Sequence, residues 1–290
     1  MGLPPEHRFP ASKYRLLRES LQKDSRFSFA PAPLATPTQV SQAHDPHYVD
    51  AVMHGTLTPA AIRRIGFPWS PQLVQRTLAS AGATLAATQT ALNDKISGAL
   101  AGGTHHAFYA EGSGFCVFND IAIAIAHLRQ TTNLTRFSVI DLDVHQGDGT
   151  AQIFANDPQV LTLSLHGQNN FPFRKQQSTI DVALPDHTND AEYLAALEEV
   201  LPKAFAHNPD FVFYQSGVDP LKEDTLGKLD LTLEGLKARD EMVFSAARRH
   251  AAPLLITIGG GYANPIELTA AAHVQTYQTC ASIYSSSPPL

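Results

Sequence analysis

Four short apolar runs constrain this chain more than any other feature. They are Phe137–Leu142, Val160–Leu165, Asp210–Gln215 and Leu254–Ile258, and helical patterns at Ala191–Ala206 and Leu233–Arg249 lie between the later ones. Runs of this length without alternation fit strands buried on both faces, and strands spaced by helices imply a parallel α/β sheet. Further helical patterns precede them: Lys13–Gln22, His47–Met53 behind an Asp45-Pro46 cap, a long Ala/Thr/Leu-rich stretch over 71–93 starting at Pro71, and Asn119–Arg129. Proline at a first helical position supports two of these starts. No linker, repeat or low-complexity block divides residues 1–290, so one domain is expected, with Ser285–Leu290 as a frayed tail.

Three of the runs end in residues that carry chemistry. The first leads into Ile140-Asp141-Leu142-Asp143-Val144-His145-Gln146-Gly147-Asp148-Gly149, the third into Ser216-Gly217-Val218-Asp219, and the fourth into Gly259-Gly260-Gly261-Tyr262. Open parallel sheets bind ligands beyond the carboxyl ends of their strands, which brings these three loops to one place. Side chains at i, i+2 and i+4 share a strand face, so Asp141, Asp143 and His145 point the same way as the strand runs out. Asp143 alone would read as a turn carboxylate. With His145 two residues on and Asp219 after another strand, the three are proposed ligands of a divalent ion, leaving a position open for water or substrate.

Ahead of these loops lies His105-His106, behind the flexible lead-in Ala101-Gly102-Gly103-Thr104. Adjacent imidazoles in a loop are able to flank one pocket, where one would deprotonate water and later protonate a leaving amine. Each needs a carboxylate to set its tautomer, and Asp141 and Asp148 are available. Tyr262, past three glycines, is placed to donate to a developing oxyanion. Gly114, Phe115 and Phe171 suit the wall of a narrow channel, with ordinary core packing as the alternative. The other histidines, His44 and His273 among them, read as packing or surface residues, and Cys116 as a small buried side chain rather than a nucleophile.

The net charge of −6 argues against a nucleic-acid or anionic-membrane partner. Two cysteines exclude a disulfide framework, and no apolar stretch reaches the roughly 18 residues of a membrane span. A cytoplasmic protein, monomeric or in a small homo-oligomer, is the expectation.

His105-His106, Gly112–Asp120 (GSGFCVFND), Ile140–Gly149, Ser164-Leu165-His166, Ser216–Pro220 (SGVDP) and Gly259–Tyr262 (GGGY) resemble, in order and over most of the chain, the motifs of the zinc-dependent histone deacetylase family. The stretches Asp224–Leu233 and Ala238–Phe244 are similar to the short class IV type. The resemblance implies an arginase/deacetylase-like fold with a central eight-stranded parallel sheet. It implies one zinc on Asp143, His145 and Asp219, His106 as general base and acid, His105 as its electrostatic partner, Asp141 and Asp148 as their orienting carboxylates, and Tyr262 on the oxyanion. Phe115 and Phe171 would line an acyl-lysine tunnel. A structural potassium ion would sit at Asp141, Asp143, His145, Ser164 and Leu165, partly on main-chain oxygens. The implied activity is hydrolysis of acyl groups, acetyl or longer, from lysine Nε in a protein or peptide, or from a small acylated amine. A two-metal ureohydrolase would want further aspartates beside Asp219, and a non-catalytic acyl-lysine binder would not need Tyr262 or the histidine pair. The pattern departs from the family in three ways: Gln146 stands where a second metal-motif histidine is usual, no rim aspartate is evident, and the family's leading strand lacks a counterpart ahead of Pro4–Tyr14.

Overall fold

The computed structural model describes residues 7–285. Six strands form one parallel sheet: β1 (Ile96–Gly98), β2 (Phe137–Asp141), β3 (Val160–Gly167), β4 (Ile180–Leu184), β5 (Phe211–Gln215) and β6 (Leu254–Thr257). Their spatial order is β1-β6-β5-β2-β3-β4. Ten helices surround the sheet among the described residues: α1 (Ser12–Leu21), α2 (Pro37–Val40), α3 (Pro46–His54), α4 (Pro59–Ile65), α5 (Pro71–Asp94), α6 (Asp120–Thr131), α7 (Asp148–Ile153), α8 (Asp190–Ala206), α9 (Leu233–Arg249) and α10 (Ile266–Ser285). Every strand pair is parallel, as the alternating pattern requires. None of the described helices is long and apolar enough to cross a membrane.

Among the described residues six strands, not eight, make the sheet. The chain between Gly98 and Asp120, which connects β1 to α6, runs as turns and bends and donates no strand. The position of the family's leading strand lies largely outside the described residues, as do residues 286–290 of the expected tail; Ser285 itself closes α10.

The central strands explain the apolar runs. All five residues of β2 and of β5 and all eight of β3 are buried, so neither face of these strands tolerates a polar surface. Clusters on the two sides of the sheet share this burial: Ile140, Val212 and Tyr214 pack with α8 and α9, whereas Val139, Phe211 and Phe213 pack with α5 and α6. The edge strand β4 alternates in exposure and β1 spans only three residues, which is why neither stands out as an apolar run.

Chain order and sheet order together locate a crevice. From β2 the chain moves outward through β3 to β4, then returns to place β5 on the other side of β2. This reversal opens a gap beyond the carboxyl ends of β2 and β5, where α/β proteins bind ligands. In register, Asp141 on β2 lies opposite Gln215 on β5 and Ser164 on β3, so Asp143 and Asp219 leave adjacent strand ends.

His44 ties the chain before α3 to the start of α6. Fully buried, it shares its Nδ1 proton with the Tyr109 carbonyl at 3.1 Å and accepts the Asn119 amide on Nε2 at 2.8 Å, while the Asn119 side chain caps α6 through the Ala122 amide. The burial anticipated as one alternative for this residue is realised with both ring nitrogens satisfied. Burial pushes the imidazole down to about 4, so it folds neutral. The unfolded state therefore binds the extra proton first, and stability is lost as pH falls from about 6.5 towards 4. The wild-type protein should lose about 3 kcal/mol more over that range than His44→Asn. Urea denaturation of both proteins at pH 7.5 and 4.5 checks this, and equal losses would contradict it.

Candidate metal centre and active site

The three loops meet as the strand pattern demands. Asp143, His145 and Asp219 are buried, and one ligand atom from each lies within 4.8 Å of the others. His145 Nδ1 stands 3.0 Å from Asp143 Oδ1 and 3.0 Å from Asp219 Oδ2. Ligands about 2 Å from a shared tetrahedral ion are separated by about 3.3 Å, so the spacing fits a small divalent ion such as zinc. The electrostatics show the demand for positive charge: burial, then the Asp143 carboxylate, pushes Asp219 up to about 7, and at His145 the two carboxylates outweigh burial and raise the imidazole to about 10. Among the described residues no other histidine, cysteine and carboxylate group of this kind occurs.

The surroundings hold the carboxylates in place. Asp219 Oδ1 accepts the Val144 amide at 2.9 Å, and Asp143 Oδ2 accepts the Gly260 amide at 2.7 Å. Two glycines are dictated by this proximity. A Cβ at Gly217 would stand 2.3 Å from Asp143 Oδ2, and one at Gly260 would stand 1.9 Å from Asp219 Oδ2. The triple glycine is thus a close-approach loop against the carboxylates.

His105 and His106 lie with ring centroids 4.1 Å apart, and each has its own carboxylate. His105 Nδ1 is 2.7 Å from Asp141, and His106 Nδ1 is 2.6 Å from Asp148. The two imidazoles are driven in opposite directions. Burial opposes the charge on His105, but Asp141 and Asp143 outweigh it and raise the group to about 9. Burial, reinforced by the His105 charge, lowers His106 to about 4 although Asp148 pulls the other way. His106 is therefore neutral at pH 7. With Nδ1–H directed at Asp148, its lone pair lies on Nε2.

A cavity of about 440 Å³ opens above the cluster, and His106, Gly114, Phe115, His145, Phe171 and Tyr262 are among its lining residues. The Phe171 ring meets His106 edge-on at 4.9 Å. Phe115 adopts a left-handed backbone with φ of 65°, and its amide donates to Ile65 at 2.8 Å. That conformation is costly for a side chain with a Cβ and is kept where the surrounding structure fixes the wall. Burial, followed by the charges of Asp219 and Asp143, raises the Tyr262 phenol well above its ordinary range, so it is a proton donor at neutral pH. Ser164 and Leu165 fall on β3 beside Asp141; Ser164 Oγ lies 3.0 Å from His166 Nδ1, and the Leu165 side chain is in the core, leaving only its main chain for an ion. Cys116 is buried and its thiol is pushed up by that burial, which suits a packing residue.

Four supporting residues escape a reading of the sequence. Asp120 binds the Gly103 and Thr104 amides at 3.0 and 2.7 Å and so holds the loop that carries the histidine pair. Asp224 accepts the Tyr262 amide at 2.6 Å. Lys13, on α1, is buried and donates to the Gly259 carbonyl at 2.9 Å; burial lowers it to about 8 despite nearby carboxylates. Arg239, on α9, is wholly buried, pairs with Asp240, and donates to the Gly217 carbonyl at 2.6 Å and to the Leu142 carbonyl at 3.4 Å. Those carbonyls belong to the loops bearing Asp219 and Asp143.

Fold and site define an α/β protein with a buried Asp/His/Asp cluster at the carboxyl ends of its strands. The histone deacetylase domain model matches residues 6–277. An uncharacterised protein of Picosynechococcus is 43% identical over 288 residues, 97% of this chain and 95% of its own length. Histone deacetylase 2 of Arabidopsis thaliana is 30% identical over 278 residues, 90% of this chain and 71% of that one. The crystal structure of the HDA15 HD domain superposes with a TM-score of 0.82 at 23% identity, covering 98% of this chain and 87% of that one, and shows the same fold. The chain belongs to the histone deacetylase family, and family membership makes it a deacetylase-type hydrolase.

Replacing Arg239 with Met would leave Asp240 buried beside an apolar side chain and release both loop carbonyls. Stability should fall by about 3–5 kcal/mol, and affinity for a divalent metal by about 10–100-fold. Arg239→Lys should recover part of the stability while metal binding stays weak, because one ammonium does not reproduce the planar fork. Thermal melts combined with metal titration against a chromophoric chelator separate the two effects. Unchanged metal affinity in both variants would contradict the role.

Proposed function

We propose that this protein is a zinc-dependent amidohydrolase that removes acyl groups, acetyl or longer, from lysine Nε or a related acylated amine. The observation that carries this reading is the split of the histidine pair beside the Asp/His/Asp cluster: a neutral, carboxylate-oriented His106 and a protonated Tyr262 line the same cavity. Zinc on Asp143, His145 and Asp219 would supply polarisation of the acyl carbonyl and a lowered pKa for the attacking water.

The protein residues then account for each proton. Nε2 of His106 takes a proton from water as its oxygen bonds to the carbonyl carbon, and the resulting imidazolium is stabilised by Asp148. The Tyr262 hydroxyl donates to the carbonyl oxygen as negative charge develops there. When the C–N bond breaks, His106 returns the proton to the leaving amine, releasing a carboxylic acid and a free amine, and the acid then ionises by passing its proton to the amine or to water. His105, charged against Asp141, keeps the basicity of His106 low enough for that second transfer. Phe115 and Phe171 flank the alkyl chain of the amine. A structural potassium ion at Asp141, Asp143, His145, Ser164 and Leu165 belongs to the same proposal, as does kinship with the short class IV enzymes.

The zinc-loaded protein should hydrolyse at least one member of an acetyl-, octanoyl- and myristoyl-lysine peptide series. Tyr262→Phe should lower kcat by about 10²–10³-fold with a smaller effect on KM. Product amine released over time measures both. No turnover on any acyl-amine by protein shown to hold its metal would overturn the proposal.

A further inference from the structure

The active-site cavity carries an outer ring of cationic side chains, two of them with a carboxylate nearby. Arg8, Arg64 and Lys228 are among the residues lining it, and no carboxylate is. This contrasts with the chain as a whole, whose net charge is −6. Arg64 is paired with Glu111, whose charge offsets it. Lys228 approaches Asp186 only at 3.9 Å, with about half of its side chain exposed. The loop Asn169–Phe173 between them is itself held by a cation: Lys175 donates to the carbonyls of Asn170 and Pro172. Burial lowers the Lys175 ammonium; Asp148 and Asp181 act against that and Lys228 adds to it. On the floor of the cavity, His106 and His145 are the titratable groups beside Tyr262.

This ring determines which part of a substrate it meets. On the proposed function, the acyl group and alkyl chain occupy the interior between Phe115 and Phe171, so the portion of the amine beyond its alkyl chain is left at the mouth. A cationic mouth with low-dielectric aromatic walls attracts an anion and raises the local concentration of anionic substrates. We propose that Arg8 and Lys228 select acylated amines bearing a carboxylate just beyond the alkyl chain. That chemistry has two sources: an Asp or Glu flanking acyl-lysine in a peptide, or the α-carboxylate of free acyl-lysine. The inference rests on the amidohydrolase reading and adds the charge of the substrate to it.

The test uses the zinc-loaded full chain and two matched pairs carrying whichever acyl group is turned over fastest. One pair is an acyl-lysine peptide flanked by Asp or by Lys; the other is free Nα-acetyl-Nε-acyl-lysine or its carboxamide. At low ionic strength the anionic member of at least one pair should show a kcat/KM about 10-fold higher, approaching its partner in about 0.5 M salt as the charges are screened. The pair that responds identifies the source. In Arg8→Glu/Lys228→Glu the ratio should invert. Equal kcat/KM within both pairs, or a preference that survives in the double variant, would overturn this inference and leave the amidohydrolase reading intact. Absence of turnover on these four and on every other acyl-amine, by protein shown to hold its metal, would overturn both.

Discussion

Two carboxylates buried side by side are the constraint around which this structure is organised. Asp143 and Asp219 are at most 1% exposed, and burying such anions is costly unless they are paired or bind a metal. The neighbouring features follow from that cost. Parallel β2 and β5 are adjacent because the chain reverses direction across the sheet, and this sets the two aspartates side by side. Gly217 and Gly260 lack a Cβ because the carboxylate oxygens occupy its place. Backbone amides of Val144 and Gly260 point at the oxygens that a metal would not use. Arg239 fixes the same loops from below through their carbonyls, which makes α9 part of the site although it contributes nothing to the cavity.

The same negative field explains why two adjacent histidines differ. His105 lies within reach of both Asp141 and Asp143, and it holds a proton. His106 sees one carboxylate, Asp148, and a charged neighbour, so it does not. Both imidazoles are buried, and burial alone would leave both neutral. Geometry therefore sets the protonation state of each imidazole, and sequence adjacency does not.

Much of this was legible because strand burial and site chemistry leave local marks. The apolar runs of β2, β3, β5 and β6 are continuous because their strands are covered on both faces, and the polar residues that close three of them converge because parallel strands end on one side. Asp143, His145, Asp219, the histidine pair and Tyr262 all meet at one cavity or beneath it. What escaped has no local mark. Three residues in β1 and an alternating edge in β4 are short of a recognisable pattern, and the count of eight strands came from resemblance rather than from periodicity. Arg239 and Lys13 look like the polar faces of amphipathic helices; only the packing of α9 and α1 shows that they point inward. Asp120 reads as an acidic residue in the first turn of α6, a place that helix dipoles favour anyway, and its hold on the histidine loop is a tertiary contact.

The account depends most directly on whether the buried Asp/His/Asp cluster binds a single metal. Isothermal titration of zinc into the chelator-stripped protein, beside Asp219→Asn, measures this. The account predicts one tight equivalent per chain in the parent protein, and binding weakened by at least about 100-fold in Asp219→Asn, since a neutral amide replaces an anionic ligand. Two tight equivalents, or undiminished affinity in the variant, would contradict it.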